Sequence, residues 1–486
     1  MAPDCLSHLP EVLTSLSCSL DLGIGAAVRL EGSWVPSPGA QQTHELLVAS
    51  ASILGPSDAK AITPTHPLRL WGPPLKISLA DSGQTFPLQK KWHSPEYLRT
   101  IPHLRARAPF NSALLRLRSD IVSFLNSFFS GRDFVQTHPP LITSSDCEGA
   151  GEVFTVSPAR QSTAADGQGD TADLFFRSAK YLTVSSQLHL EALAQSLGNV
   201  WTLSPTFRAE RSDTSRHLSE FYMLEAEMGF VDHLDGVMDL LEDLLRTLSQ
   251  SLHGSRTVRE LLQPSSYPTP ERMPMAEVLG RWEGLMQPSW PRLTYTDAVD
   301  MLTSAQTKFE HKPKWGHPLQ AEHEKYIADT VGRGGPVFVT HYPRRIKPFY
   351  MPPGSPRPGD ASVGTKVSGR ELDGEAGRET ADCFDLLIPD FCEIAGGSMR
   401  EHRLPQLLDA MRRHGVGVPT VDSDGQRREI GDGAGSLDWY VDLRRWGCPP
   451  HGGFGLGFDR LLCYLSGVPT VRDVVAFPRW YGRCDC

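Results

Sequence analysis

The run Phe221–Phe230, FYMLEAEMGF, alternates strictly between two kinds of side chain. Tyr222, Leu224, Ala226, Met228 and Phe230 fall on one side, and Phe221, Met223, Glu225 and Glu227 on the other. A period of two belongs to a strand, so one buried apolar face and one face with an aromatic ring and two carboxylates are expected. Before it lies a polar loop holding Arg208, Glu210, Arg211, Arg216 and His217. A solvated edge hairpin is the ordinary explanation of such a stretch. Concentrated cations beside a phenylalanine argue for more, because those groups grip a polyphosphate and stack a base.

A second segment, HGGFGLGFDR from His451 to Arg460, places glycines at 453, 455 and 457 ahead of an apolar LLCYL. Such glycines let backbone approach a ligand closely. The dinucleotide fingerprint fails, because Phe458 stands where its third glycine would be, and no Gly-x-x-x-x-Gly-Lys-Ser/Thr loop occurs.

The chain has 486 residues, 40% hydrophobic and 22% charged, which excludes wholesale disorder. No apolar run approaches the ~18 residues that cross a bilayer, so no membrane partner is expected. A net charge of −9 argues against a DNA-coated protein and leaves room only for a local basic surface. Nine cysteines without a Cys-x-x-Cys pair suggest reduced thiols rather than a disulfide framework or a zinc site. No targeting segment is evident in MAPDCLSHLPEVLTSL.

Residues 1–88 read as a small β-domain and 89–109 as a hinge, with one large domain over 110–486. A helix capped by Asn111 is predicted up to Gly131, and a second over Leu234–Leu248. Residues 157–172 and 352–381 read as insertions.

Together these segments resemble the second and third signature motifs of the class II aminoacyl-tRNA synthetases, most closely the aspartyl/asparaginyl branch. Pro140 in FVQTHPPLIT sits at the first, dimer-forming motif, which implies a homodimer. The resemblance continues through DCEGAGEVF, TVSSQLHLE, KPFYM, FDLLIPDFCEIAGGSMREHR and DWYVDLRRWG, covering nearly everything from Lys90 onward in order. It implies an α+β fold: an antiparallel sheet flanked by helices, preceded by an OB-fold barrel that reads the anticodon. Only the later barrel strands, from about Ala26 to Leu79, can be matched, so the barrel looks incomplete.

The resemblance also implies roles. Arg208 would bridge the α-phosphate of ATP and the incoming carboxylate, where a planar fork outperforms a point charge. Glu210 would meet the adenine amino group or the tRNA end, and Arg216 and His217 the γ-phosphate. Phe221 and Arg460 would sandwich adenine, with Gly455 and Gly457 making room. Asp385 and Glu393 would hold Mg2+, whose preference is for hard oxygen ligands. Glu148 and Gln187 would hold the α-ammonium, and Arg400 the side-chain oxygen.

Aspartate enzymes of this branch carry a lysine where this chain has Leu190, and an aspartate where it has Glu225. A carboxylate without a lysine partner repels aspartate and accepts a hydrogen bond from an amide, so L-asparagine and tRNA(Asn) are the expected substrates. An aspartyl enzyme, a derived asparagine synthetase and a non-catalytic descendant are the alternatives. The style of the motifs is that of the bacterial branch, which in eukaryotes is organellar. It points to the mitochondrial matrix, with the cytoplasm as the alternative.

Overall fold

The structure is a computed structural model. It describes residues 25–38, 43–57, 86–88, 91–144, 153–158, 175–176, 178–262, 273–354, 378–416, 420–421, 427–428 and 437–485. The chain divides into two compact units, Met1–Ser112 with Pro264–Pro270 and Cys486, and Ala113–Gln263 with Glu271–Asp485.

In the first unit, β1 (Ala27–Pro36) pairs antiparallel with β2 (His44–Gly55). Their register shifts at Glu31/Gly32, where a side chain on Gly32 would collide with the Leu47 carbonyl. A two-stranded pair is what the described residues show where a partial barrel was expected; the rest of that span, 58–79, lies outside them. The segment expected as a hinge contains two short helices, Pro95–Thr100, capped by Ser94, and Pro102–Arg105.

The second unit is built on β3 (Val135–Gln136), β6 (Val200–Phe207), β7 (Glu220–Gly229), β8 (Arg292–Thr294), β9 (Val337–Thr340), β10 (Cys383–Ile388), β11 (Cys392–Met399) and β14 (His451–Gly457). Two minor pairs stand apart, β4 (Ile142–Thr143) with β5 (Tyr181–Leu182) and β12 (Thr420–Val421) with β13 (Arg427–Arg428). The eight strands run in the order β3-β6-β7-β14-β11-β10-β9-β8. The expected antiparallel sheet is present in its six central strands, whereas β3–β6 and β8–β9 are parallel.

Helices cover both faces. Helix α1 (Pro109–Ser130) begins two residues before Asn111, so that residue lies in the first turn instead of capping it. Proline fits a first turn because its missing N–H has no partner to lose there. Phe129 of α1 stacks on Trp201 of β6, with centroids 4.7 Å apart. Helix α2 (Gln187–Leu197) packs on β6 and β7. Helix α3 (Leu234–Leu252) lies under β11 and β14, where Val237 faces Gly452. Helices α4 (Tyr295–Ser304) and α5 (Ala321–Thr330) form an apolar cluster with Val337, Val339, Cys383 and Leu387.

Strand β7 corrects the expectation of one apolar face. Glu225 and Glu227 are as buried as Leu224 and Ala226, while Tyr222 is exposed. The strand is central, with a layer on each side, and its carboxylates are buried against protein partners. The bases of both insertions are tied together. Thr155 bridges Tyr181, and Pro353 bridges Ala381. Most of each insertion lies outside the described residues.

Candidate active site

Register explains the glycines. Glu225 pairs with Gly455, Gly455 with Gly396, and Gly396 with Asp385, so these four residues form one rung across four strands. Gly453, Gly455 and Gly457 alternate onto the same face. Gly453 is packed tight, since a Cβ there would lie 2.1 Å from Glu227 Oε2. At Gly455 the nearest atom would be Met223 Sδ at 3.2 Å, and at Gly457 Arg460 Cδ at 3.6 Å. Gly455 and Gly457 thus form a flat floor, with α2 on one side and α4 and α5 on the other.

The expected phosphate ligands converge at one end of this floor. Arg208 follows β6, its guanidinium carbon 5.7 Å from the Phe221 ring centroid. Glu210 lies 3.8 Å from Arg208 Nη1 and 3.5 Å from His217 Nε2. Burial holds His217 below its ordinary value; Glu210 opposes that shift, and Arg460, Arg216 and Arg208 reinforce it. One histidine therefore feels three guanidinium groups, a concentration of positive charge suited to a triphosphate. Arg460 lies in the first turn of the helix after β14 and donates Nη1–H to the Glu393 carbonyl at 2.8 Å.

Asp385 and Glu393 meet over Gly396, where a Cβ would lie 3.4 Å from Asp385 Oδ1 and 3.3 Å from Glu393 Oε1. A register shift makes this possible. Leu386 pairs with Ala395 but Leu387 with Glu393, so Ile394 is the extra residue of a bulge that turns Glu393 onto the face of Asp385. Asp385 and then burial push the Glu393 carboxyl up. Glu324 of α5 was not foreseen; burial, then Glu393 and Asp385, push it up to about 7. Lys347 donates to both oxygens of Asp385 at 2.9 Å. Like charges sharing one space fit a divalent cation. Among the described residues no cluster of three or more side chains is arranged to hold a metal. Two carboxylates completed by substrate phosphates is the arrangement Mg2+ favours.

The amino-acid end is a hydrogen-bonded set of buried charges. Glu225 accepts from Ser185 Oγ at 2.5 Å and from the Ser186 N–H, 3.0 Å from each of its oxygens, at the start of α2. Arg400 clamps Glu227 through Nε at 3.1 Å and Nη2 at 2.9 Å, and donates Nη1–H to Ser398 Oγ at 2.5 Å. Gln187 donates its amide to Glu191 at 3.0 Å, which leaves its oxygen as the acceptor for an ammonium. Glu191 also receives Arg444 at 2.6 Å, Tyr440 at 2.7 Å and His451 at 3.2 Å. Leu190 packs in an apolar cluster with Ala194 and Val200, and Val200 stands beside Glu227 in the register.

Of the residues singled out in the sequence, Glu148 lies outside the described residues. Arg208, Glu210, Arg216 and Arg460 surround His217, and Asp385 and Glu393 meet over Gly396, whereas Leu190 packs in the apolar cluster of α2. Glu191, Arg444 and His451 were missed as site residues. The Gln187/Glu191 and Tyr440/Arg444 spacings of four, each placing two polar groups on one helix face, were the available signal.

A family model described as tRNA synthetases class II (D, K and N) matches residues 94–481. The mitochondrial asparagine–tRNA ligase of Saccharomyces cerevisiae is 38% identical over 92% of this chain and 80% of its own. The chain belongs to the asparagine–tRNA ligase family. The ligase of Microcystis aeruginosa, also 38% identical, is matched over 94% of this chain and 84% of its own. Among solved structures, asparaginyl-tRNA synthetase from Pyrococcus horikoshii, complexed with asparaginyl-adenylate, superposes with a TM-score of 0.69 at 25% identity. The match covers 96% of this chain and 85% of that one. Membership in the asparagine–tRNA ligase family agrees with Leu190 and Glu225, the two positions on which the sequence favoured asparagine over aspartate.

Proposed function

We propose that this chain activates L-asparagine with ATP to asparaginyl-adenylate, releases pyrophosphate, and passes the asparaginyl group to a terminal hydroxyl of tRNA(Asn), releasing AMP. The single observation that carries this is the rung Glu225–Gly455–Gly396–Asp385, which sets a carboxamide-accepting carboxylate and a phosphate-end carboxylate on one open floor.

In this scheme the asparagine ammonium meets Gln187, its carboxamide donates to Glu225, and its oxygen accepts from Arg400. Its carboxylate attacks the α-phosphorus as the bond to pyrophosphate breaks. Arg208 stabilises the charge that develops on the α-phosphate, and Arg216 and His217 hold the far phosphates. Phe221 and Arg460 fix the adenine. No covalent enzyme intermediate is needed, so catalysis is positioning and charge neutralisation. Asp385 and Glu393 would hold Mg2+, which when bound neutralises phosphate charge.

The exposed Val135 on the sheet-edge strand β3 and Phe230, exposed at the end of β7, support the homodimer. A mass in solution twice that of one chain tests it. The mitochondrial relative supports a place in mitochondrial translation; organelle fractionation tests that against the cytoplasm. No described helix is long and apolar enough to cross a membrane.

The deciding experiment is amino-acid-dependent exchange of labelled pyrophosphate into ATP, each amino acid taken in turn. Exchange with asparagine is expected. Exchange with aspartate alone would favour an aspartyl-tRNA synthetase or an asparagine synthetase. Silence from folded protein would favour a non-catalytic descendant.

A further inference from the structure

Among the described residues, six buried charges gather at the amino-acid end. Three are carboxylates: Glu225, Glu227 and Glu191. Three are cations: Arg400, Arg444 and His451. None of the six is more than 6% exposed. His451 belongs among the cations on geometry alone. Its Nδ1 faces the Pro449 carbonyl at 2.9 Å and its Nε2 faces Glu191 Oε2 at 3.2 Å. Both nitrogens confront acceptors, so both carry a proton. The neighbouring carboxylate Glu401 is neutralised separately by Arg403, which donates to each of its oxygens at 2.8 Å.

Glu191 is the member that joins the set. It binds Arg444 and His451 directly, holds Gln187 by its amide, and lies 3.9 Å from Arg400 Nε. We propose that Glu191 is a specificity-determining positioning residue, whose buried charge closes a balance of three anions and three cations that holds only around a neutral side chain. Asparagine adds no charge to the set. Aspartate adds one anion that no further buried cation among the described residues of the set answers, and an unanswered buried charge is costly. Discrimination then comes from the whole set, Glu225 being one of its members. The inference rests on asparagine being the substrate.

It makes opposite predictions for the two partners of one ion pair. Glu191→Gln leaves the set with one cation in excess and should favour aspartate. Arg444→Met leaves one anion in excess and should disfavour it. The double variant restores the balance. The measurement is the inhibition constant of aspartate against asparagine-dependent pyrophosphate exchange, divided by the KM for asparagine, in the full chain. Glu191→Gln should lower this ratio on the order of tenfold, the effect of a unit charge about 10 Å away at an effective dielectric constant of about 20. Arg444→Met should raise it, and the double variant should return it towards the parent.

A purely structural ion pair would weaken both amino acids alike. The inference is therefore overturned if both single variants leave the ratio unchanged or move it the same way, or if the double variant keeps a single variant's shift. Should Glu191→Gln not fold, as judged by circular dichroism, Arg444→Met and the double variant carry the same test. A parent chain that exchanges pyrophosphate with aspartate and not asparagine would instead remove the function on which the inference rests.

Discussion

Glu225 and Asp385 share one rung of the central sheet, with only Gly455 and Gly396 between them. Three strand spacings separate their backbones by about 14 Å. That is room for an amino acid and the phosphate it attacks, laid end to end. Both separating residues lack a side chain, so the floor stays low along its whole length.

Two neighbouring glycines should therefore behave differently. Gly455→Ala places a methyl 3.2 Å from Met223 Sδ, which a flexible side chain absorbs. Its stability should change by less than about 1 kcal/mol, while pyrophosphate exchange falls as the floor rises. Gly453→Ala drives a methyl to 2.1 Å from Glu227 Oε2 and 2.2 Å from the Ala226 carbonyl. Backbone must move, at a cost on the order of 3 kcal/mol. Urea denaturation alongside exchange assays separates the two; equal stabilities would contradict it.

Ser185 tests how Glu225 is held. Its hydroxyl donates to Glu225 at 2.5 Å, beside the Ser186 N–H. Ser185→Ala should raise the KM for asparagine several-fold, the effect of one hydrogen bond worth about 1 kcal/mol. The KM for ATP should stay unchanged, and equal rises in both would refute the assignment.

Glu324 should leave a mark on the pH dependence of stability. Its folded value of about 7 lies above the ordinary glutamate value near ~4.3. Between those values the folded chain keeps a proton that the unfolded chain has released, so stability falls as pH rises through the window and levels off above it. Glu324→Gln should remove that fall and stabilise the chain at pH ~8 by about 2 kcal/mol. Urea midpoints across the window, identical for parent and variant, would show the group plays no such part.

His451 acts in the next window. Burial opposes its charge, but contacts with Cys448 and Glu191 raise it to about 10. The stability from its protonated form is complete below the ordinary value near ~6.5 and is lost as pH rises through the folded value. His451→Gln should flatten the decline of thermal stability over that interval. A decline as steep as the parent's would locate its source elsewhere.

The hairpin from Phe207 to Phe230 and the glycine strand were legible because their signals are local. Strand period, clustered cations and a helix after HGGFGLG all survive in one sequence. The double burial of β7 was not legible, since period two reports which residues share a face and not what covers it. The Glu191 network was also hidden. Arg444 and His451 lie 253 and 260 residues beyond Glu191, and only the fold brings them together. The bulge at Ile394 is a third case, because a skipped partner shows only once the strands are paired.

The tie between Pro353 and Ala381 has a practical use. The neck is held by its own hydrogen bonds, with the Gly354 N–H donating to the Thr380 carbonyl at 2.8 Å and the Asp382 N–H to the Pro352 carbonyl at 2.9 Å. What is spliced beyond the neck need not disturb the strand that follows. A fluorescent or affinity module grafted there would report on the working enzyme from within its own chain, leaving both ends untouched.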